Sequence, residues 1–247
     1  GMPTLLLEDP RGDMALASAY VYDHPQSKLP IVGVTGTNGK TTVTHVMKSL
    51  LQDAGLQVGM IGTLGSFLND EPLPSVRTTP ESTDLFALFA VMCERGADVI
   101  VMEVSSHALE LGRVENVFFQ VGIFTNLTQD HLDFHSDMQS YFAAKSKLFR
   151  PETCNHAVVC VDDVWGRTLA DSVQVPLQTV SSTGQEANWQ ASSVASHLGR
   201  SQFTVTHNGH AFQECTINML GDFNVTNALQ AIVACELLGL PIEQLLQ

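Results

Sequence analysis

Apolar and polar positions along this chain follow the order of strands alternating with helices. Residues 13–22 carry apolar side chains at helical spacing ahead of a polar stretch at 24–28, which predicts a leading helix and a linker. A short apolar strand at 31–34 runs into a glycine-rich turn at 36–42. Residues 43–54 then repeat apolar side chains with helical period (Val43, Val46, Met47, Leu50, Leu51) up to Gly55. Further strands are predicted at 58–61, 98–104, 117–124 and 157–161, and further helices at 81–95, 138–149, 164–170 and 224–238, with another starting at 241. Residues 62–80 are polar and broken by Gly and Pro, which reads as a long functional loop. Strands alternating with helices imply a mostly parallel sheet with helices on both faces. The period changes at 202–206 and 212–217, where apolar and polar residues alternate around Asn208-Gly209, a favoured hairpin turn. The expected fold is therefore α/β, a P-loop-type sheet with a small antiparallel sheet added.

The turn after the first strand is the strongest chemical signal. Gly33-Val34-Thr35-Gly36-Thr37-Asn38-Gly39-Lys40-Thr41-Thr42 carries a strand into glycines and then opens a helix with Gly-Lys-Thr. Glycine lets the backbone approach a phosphate, and the N–H groups of the turn and helix start cradle it. Lys40 can reach the β- and γ-phosphates and the Thr41 hydroxyl can bind Mg²⁺. Val34 stands where the usual pattern has its first glycine, so the motif is a variant in which Gly36 supplies the tight turn. The competing reading is an ordinary glycine-rich strand-to-helix turn, which the paired Lys and Thr disfavour.

Val99-Ile100-Val101-Met102-Glu103 is an apolar strand ending in an acid. Ligands of open parallel sheets bind at the carboxyl ends of strands. Glu103 alone reads as a surface carboxylate; beside the phosphate loop it reads as a metal ligand. Thr125-Asn126-Leu127 follows another buried strand, and Asp130-His131-Leu132-Asp133-Phe134-His135 crowds imidazoles and carboxylates after it. His131 is read as a metal or phosphate ligand, and His135 as part of a solvated polar turn.

Composition narrows the function classes. The chain has 247 residues and a formal charge of −14, which argues against a nucleic-acid binder. Lys40, Arg77, Arg113, Lys145, Lys147 and Arg150, half of the 12 basic residues, lie in or beside the motifs, so a locally positive site on an acidic protein is expected. Five scattered cysteines form no metal or disulfide framework and suit reduced thiols in a cytoplasmic protein. No apolar run is long enough to span a bilayer.

These motifs together resemble the Mur ligases, to which folylpolyglutamate synthetases are related. Gly36-Thr37-Asn38-Gly39-Lys40-Thr41-Thr42 is similar to their shared nucleotide loop. Arg77-Thr78-Thr79-Pro80, Met102-Glu103-Val104-Ser105-Ser106-His107-Ala108-Leu109, Arg113, Asp130-His131-Leu132-Asp133 and Tyr141-Phe142-Ala143-Ala144-Lys145 resemble the MurE type.

The resemblance implies ATP and Mg²⁺ as cofactors. Gly36, Thr37, Asn38, Gly39, Lys40, Thr41 and Thr42 would hold nucleotide. Thr41, Glu103, His131 and Lys145 would serve the metal, and Lys40, Lys145 and His131 the catalysis. Arg77, Thr78, Thr79, Ser105 and Arg113 would contact a UDP-muramoyl dipeptide. Lys145 would be carbamylated by CO₂. Gly221-Asp222-Phe223-Asn224-Val225-Thr226-Asn227 resembles the adenine-side segment, with Asn224 and Asn227 as its candidates. Read by itself, Lys145 shares a helix face with Tyr141 and Phe149 and could simply snorkel over an apolar stem.

Some MurE-type sequences carry Gln two residues before the arginine, where this chain has Leu111. The implied reaction is ATP-dependent addition of a third amino acid, meso-diaminopimelate or L-lysine, to UDP-N-acetylmuramoyl-L-alanyl-D-glutamate through an acyl phosphate. Residues 1–30 are expected to be the remnant of an N-terminal domain and a linker, and 31–247 the ATP-binding central domain. The C-terminal domain that selects the amino acid is expected to be absent, which would leave this chain inactive alone. The alternatives are another ligase of this kind, such as a cyanophycin or folylpolyglutamate synthetase, or a nucleotide-binding module without catalysis.

Overall fold

A computed structural model describes residues 9–75, 77–129 and 135–246. One eleven-stranded sheet runs through the molecule in the order β11-β10-β9-β8-β7-β6-β1-β5-β2-β3-β4. Its strands are β1 (Ile31–Thr35), β2 (Val58–Gly62), β3 (Gly65–Leu68), β4 (Glu71–Leu73), β5 (Val99–Glu103), β6 (Phe119–Phe124), β7 (Cys154–Cys160), β8 (Leu177–Ser181), β9 (Trp189–His197), β10 (Arg200–His207) and β11 (His210–Ile217). The seven neighbours from β9 to β2 are parallel, and an antiparallel pair flanks them at each end. The expected antiparallel strands thus continue the main sheet rather than forming a second one. Asn208 and Gly209, at φ 49° and 80°, make the turn with two positive φ angles that their sequence calls for.

The period of two sorts side chains to the two faces. Val32 and Val34 of β1, Val99 and Val101 of β5, and Val121 and Ile123 of β6 pack on one side, against helix α2 (Lys40–Asp53) and helix α7 (Asp222–Leu237). Ile31, Ile100, Met102 and Phe119 pack on the other, against α1 (Pro10–Val21), α3 (Ser82–Glu94), α4 (Ser106–Glu110), α5 (Met138–Ser146) and α6 (Val164–Ser172). A last short helix, α8 (Ile242–Leu245), docks on α7. Strands buried on both faces read as continuous apolar runs, which is why β1, β2 and β5 are legible from sequence.

The first part of the stretch read as a long loop at 62–80 holds two strands that its Gly and Pro content does not suggest. β3 and β4 form an antiparallel extension of β2 there, turned at Asn69 with φ 51°. The strands have four and three residues, too short for a period to show. Strands β8 and β9 have no counterpart in the sequence reading, and the helix expected to run to 149 ends at Ser146 and tightens into a 3₁₀ turn, Lys147–Phe149.

Gly166 sits in the first turn of α6, where its N–H donates to the capping Asp163 carboxylate at 2.7 Å. Glycine in a helix is ordinarily about 0.5–1 kcal/mol worse than alanine. Here an added Cβ would stand 1.8 Å from the Cys160 carbonyl oxygen. Gly166→Ala is therefore expected to destabilise by about 1–3 kcal/mol in urea unfolding, reversing the usual sign.

Burial pushes the Cys160 and Cys235 thiols up to about 12 from the ordinary 9.0, Asp162 adding to the shift at Cys160. The folded chain then keeps both protons while the unfolded chain loses them, so stability is whole below about pH 9 and falls as pH rises toward about 12. Each thiol contributes up to about 1.4 kcal/mol per pH unit in that window. Urea midpoints at about pH 8 and about pH 10 should differ accordingly, and Cys235→Ala should reduce the difference.

Candidate active site

The strand order puts β1 between β6 and β5, and the turns leaving their carboxyl ends meet at one rim. The phosphate loop is held there by hydrogen bonds from the turn after β6. Thr37 N–H donates to the Asn126 carbonyl at 2.9 Å, Asn38 N–H to Asn126 Oδ1 at 3.0 Å, and the Thr125 hydroxyl to the Asn38 carbonyl at 2.6 Å. Only glycine fits at 36, where a Cβ would fall 1.9 Å from Thr125 Oγ1. Gly39, at φ 87°, forms the N-cap of α2 with no side chain capping it, which presents the helix start as an anion cradle. A Cβ at Gly39 would lie 2.4 Å from Asn227 Oδ1, so Asn227 closes directly over the loop.

Lys40 Nζ folds back onto the loop, donating to the Gly36 carbonyl at 2.9 Å and the Thr37 carbonyl at 2.8 Å. Lys145 Nζ donates to the same Gly36 carbonyl at 2.8 Å. Lys145 does not snorkel: its side chain is 1% exposed, lying over the Tyr141 ring at 4.5 Å from the centroid. The two lysines, Thr63, Thr78, Ser105 and Ser106 line a cavity of about 150 Å³.

Glu103 ends β5 beneath the loop and is 1% exposed. Its carboxylate accepts from Thr41 Oγ1 at 2.9 Å, from Thr63 N–H at 2.9 Å and from Thr63 Oγ1 at 3.0 Å. A buried carboxylate held by neutral donors at a helix start, with a hydroxyl on it, is a hard-oxygen set that fits Mg²⁺. That ion takes one or two protein oxygens and completes its shell with water and phosphate. Among the described residues no group of three or more His, Cys, Asp or Glu forms a metal cage, as such a site requires none. His131 lies outside the described residues.

A second cluster abuts the first. The buried Thr79 hydroxyl donates to the Glu103 carbonyl at 2.9 Å and accepts from Ser105 N–H at 3.1 Å. Ser105 Oγ caps α4 through Ala108 N–H, and Thr78 Oγ1 lies 3.2 Å from Thr63 Oγ1. Arg113 donates to the Thr79 carbonyl at 3.3 Å and pairs with Glu81 at 2.9 Å. Burial holds the Arg113 guanidinium below its ordinary value against the pull of Glu81. Arg77 pairs with Glu81 as well, and Arg11 approaches it at 3.6 Å. Three guanidiniums on one carboxylate leave a local excess of positive charge, the cationic site expected on an acidic chain. Arg11 also donates to the Leu111 carbonyl at 3.0 Å, so the backbone at this departure from the MurE pattern is fixed by the leading helix.

On the far side of the loop a cleft of about 650 Å³ runs from Asn38, Gly39 and Thr42 past Asn227 to Asp162 and Ser182. Phe223, 69% exposed, stands at its edge. Asn224 does not line this cleft; its side-chain amide donates to the Leu220 carbonyl at 2.9 Å and lies behind Asn227. Asp162 has no counterpart in the sequence reading. Its carboxylate accepts from the Ser181 hydroxyl at 2.6 Å, the Thr183 hydroxyl at 2.7 Å and Ser182 N–H at 3.1 Å, which orders the ends of β7 and β8 as the cleft's outer wall. His135 is not in a solvated turn either: it is 5% exposed, with Nε2 3.0 Å from Ser106 Oγ and its ring against Tyr141. A lone His between Phe and Ser carries no periodic signal to mark it as buried.

Residues 34–235 match the Mur ligase middle domain family. This chain belongs to that family. Similar curated Mur ligases are the UDP-N-acetylmuramoyl-L-alanyl-D-glutamate--2,6-diaminopimelate ligases of Streptomyces avermitilis and Clostridium perfringens. The first is 45% identical over 243 residues and the second 40%; each alignment covers 97% of this chain, and 47% and 49% of the relative. A solved ligase of the same name superposes with a TM-score of 0.85 at 27% identity over 98% of this chain and 50% of its own. Folylpolyglutamate synthetase from Lactobacillus casei shares the fold, with a TM-score of 0.71 at 15% identity over 99% of this chain and 67% of its own. The chain spans about half the length of the curated Mur ligases it matches.

Thr79→Val keeps the shape of a buried side chain but removes one donor and one acceptor, leaving Ser105 N–H without its partner. A loss of about 1–3 kcal/mol is expected in urea unfolding, against under about 0.5 kcal/mol for substitution of an exposed residue such as Leu198.

Proposed function

We propose that this chain is the nucleotide-binding part of a ligase that uses ATP to add 2,6-diaminopimelate to UDP-N-acetylmuramoyl-L-alanyl-D-glutamate, as the names of its curated relatives state for them. The observation that carries the reading is the meeting of Lys40, Lys145, Thr63, Thr78 and Ser105 around one small cavity, with Glu103 bonded to Thr63 and Thr41 behind it and Arg113 bonded to the neighbouring Thr79. A reaction joining a carboxylate to an amine at the expense of ATP needs phosphate held on one side of such a point and an anionic substrate on the other.

The roles we assign rest on the family resemblance together with this geometry. Backbone N–H groups of the loop and the start of α2 bind the triphosphate, and Lys40 leaves its loop carbonyls to meet the β- and γ-phosphates. Thr41 and Glu103, with His131, would hold Mg²⁺, which supplies charge neutralisation on the phosphoryl oxygens. The D-glutamyl γ-carboxylate oxygen attacks the γ-phosphorus and ADP leaves. The incoming amine then forms the amide at the acyl carbon and phosphate leaves. Arg77, Thr78, Thr79, Ser105 and Arg113 hold the dipeptide end, with arginine suited to carboxylate by its forked donors. Asn227 and the cleft beyond it take the nucleoside. Lys145 is buried with its Nζ on the Gly36 carbonyl that Lys40 also meets, and on the family resemblance we assign it as the carbamylated residue. The reaction belongs to the cytoplasm, where ATP is supplied.

Folylpolyglutamate synthesis is the second reading, favoured by the shared fold at 15% identity. Titration calorimetry with a non-hydrolysable ATP analogue and Mg²⁺ tests the nucleotide site. Binding is expected, weakened at least about tenfold in Lys40→Ala and in Glu103→Gln; an unchanged affinity in both variants would refute the reading. Binding of the UDP-muramoyl dipeptide but not of a folate separates the two ligases, and the reverse preference would overturn the first.

A further inference from the structure

We infer that Tyr141 is a positioning residue that ties the phosphate loop to Lys145, an inference that rests on the loop binding nucleotide. Tyr141 lies in the first turn of α5 and is fully buried. Its phenol oxygen is 3.3 Å from Thr37 Oγ1. The direction of that bond follows from counting. A threonine hydroxyl has one proton and two lone pairs. The Thr37 proton goes to the Thr128 carbonyl at 3.2 Å and one lone pair accepts Thr128 N–H at 3.0 Å. The remaining lone pair receives the proton of Tyr141, so the phenol donates to the loop.

Thr37 is also the residue whose carbonyl takes Lys40 Nζ at 2.8 Å. The phenol therefore acts on the part of the loop that sets where Lys40 starts from. The face of the same ring carries Lys145 Nζ at 4.5 Å, one helical turn away. His135 packs on the ring at 4.9 Å between centroids and reaches Ser106, which lines the small cavity. Phenylalanine would fill the same volume without a buried hydroxyl to satisfy. The hydroxyl here reaches the loop residue next to Gly36, whose carbonyl receives both lysines.

The test is a double-mutant cycle on nucleotide affinity in the whole chain, with Tyr141→Phe, Thr37→Val and the double variant, titrated with a non-hydrolysable ATP analogue and Mg²⁺. Tyr141→Phe keeps the ring and its packing, so the chain folds as before. The expected result is affinity lowered about three- to tenfold in Tyr141→Phe, at least as much in Thr37→Val, which also loses both Thr128 bonds, and no further in the double than in Thr37→Val, because the bond between the two residues is already gone there. A merely structural tyrosine would lower the thermal midpoint of Tyr141→Phe and leave its affinity within about twofold of the parent's, which would overturn the inference; so would single effects that multiply in the double. A parent chain that binds no nucleotide refutes the nucleotide reading and this inference with it, whereas a binding parent with an indifferent Tyr141→Phe refutes the inference alone.

Discussion

The Gly36 carbonyl is the point on which the site turns. It accepts Lys40 from the helix that follows the loop and Lys145 from a helix 109 positions further along. Residue 36 itself must lack a Cβ, because its positive φ and the 1.9 Å approach of a Cβ to Thr125 Oγ1 leave no room for one. Two lysine side chains on one backbone oxygen, most of the arrangement out of water, fix the Gly36 carbonyl and the loop around it. An acidic protein can host the two lysines because fields in a low-dielectric recess are set by the nearest groups rather than by the total.

The rim on which this happens is a consequence of strand order. β1 in the centre, β5 on one side and β6 on the other bring the phosphate loop, Glu103 and Thr125-Asn126 within hydrogen-bonding distance. Helices α2 and α7 pack on one face of these strands and α4 and α5 reach the rim from the other, so each contributes its amino-terminal or inward side chains to one place. The same placement explains why Asn227 and Lys145, which lie on opposite faces, both touch the loop.

How much was legible in advance depends on whether a feature is local. Gly39-Lys40-Thr41 opening a helix, Glu103 closing an apolar strand and the hairpin at Asn208-Gly209 are each encoded within a few residues, and the structure contains all three as read. The family resemblance supplied Thr79, Ser105 and Arg113, and these do share a hydrogen-bonded cluster. The bond between Thr37 and Tyr141 joins residues 104 positions apart, and the wall built by Asp162 depends on β8, a strand whose alternation is too weak to announce itself. His135 went unrecognised because burial of a polar side chain is decided by what the tertiary fold places around it. Residues 62–80 carried turn chemistry, but Gly and Pro also mark the ends of very short strands, and composition cannot distinguish the two.

Sharing a fold with folylpolyglutamate synthetase at 15% identity shows what this architecture leaves undetermined. A loop that binds triphosphate beside a carboxylate serves any reaction that begins with phosphoryl transfer to an acid. The choice of acid must come from groups on the other side of the cavity. Under the proposed function those groups would be the three arginines gathered on Glu81, of which Arg113 also reaches the Thr79 carbonyl. Their positive excess favours a substrate bearing several anionic groups over a neutral one, and the forked guanidinium favours carboxylate in a fixed orientation. Because Thr79 also bonds the Glu103 carbonyl, a substrate carboxylate seated on this cluster is set at a fixed distance from the residue that would hold the metal. Under the proposed function, substrate choice and phosphoryl transfer would be coupled through one buried hydroxyl.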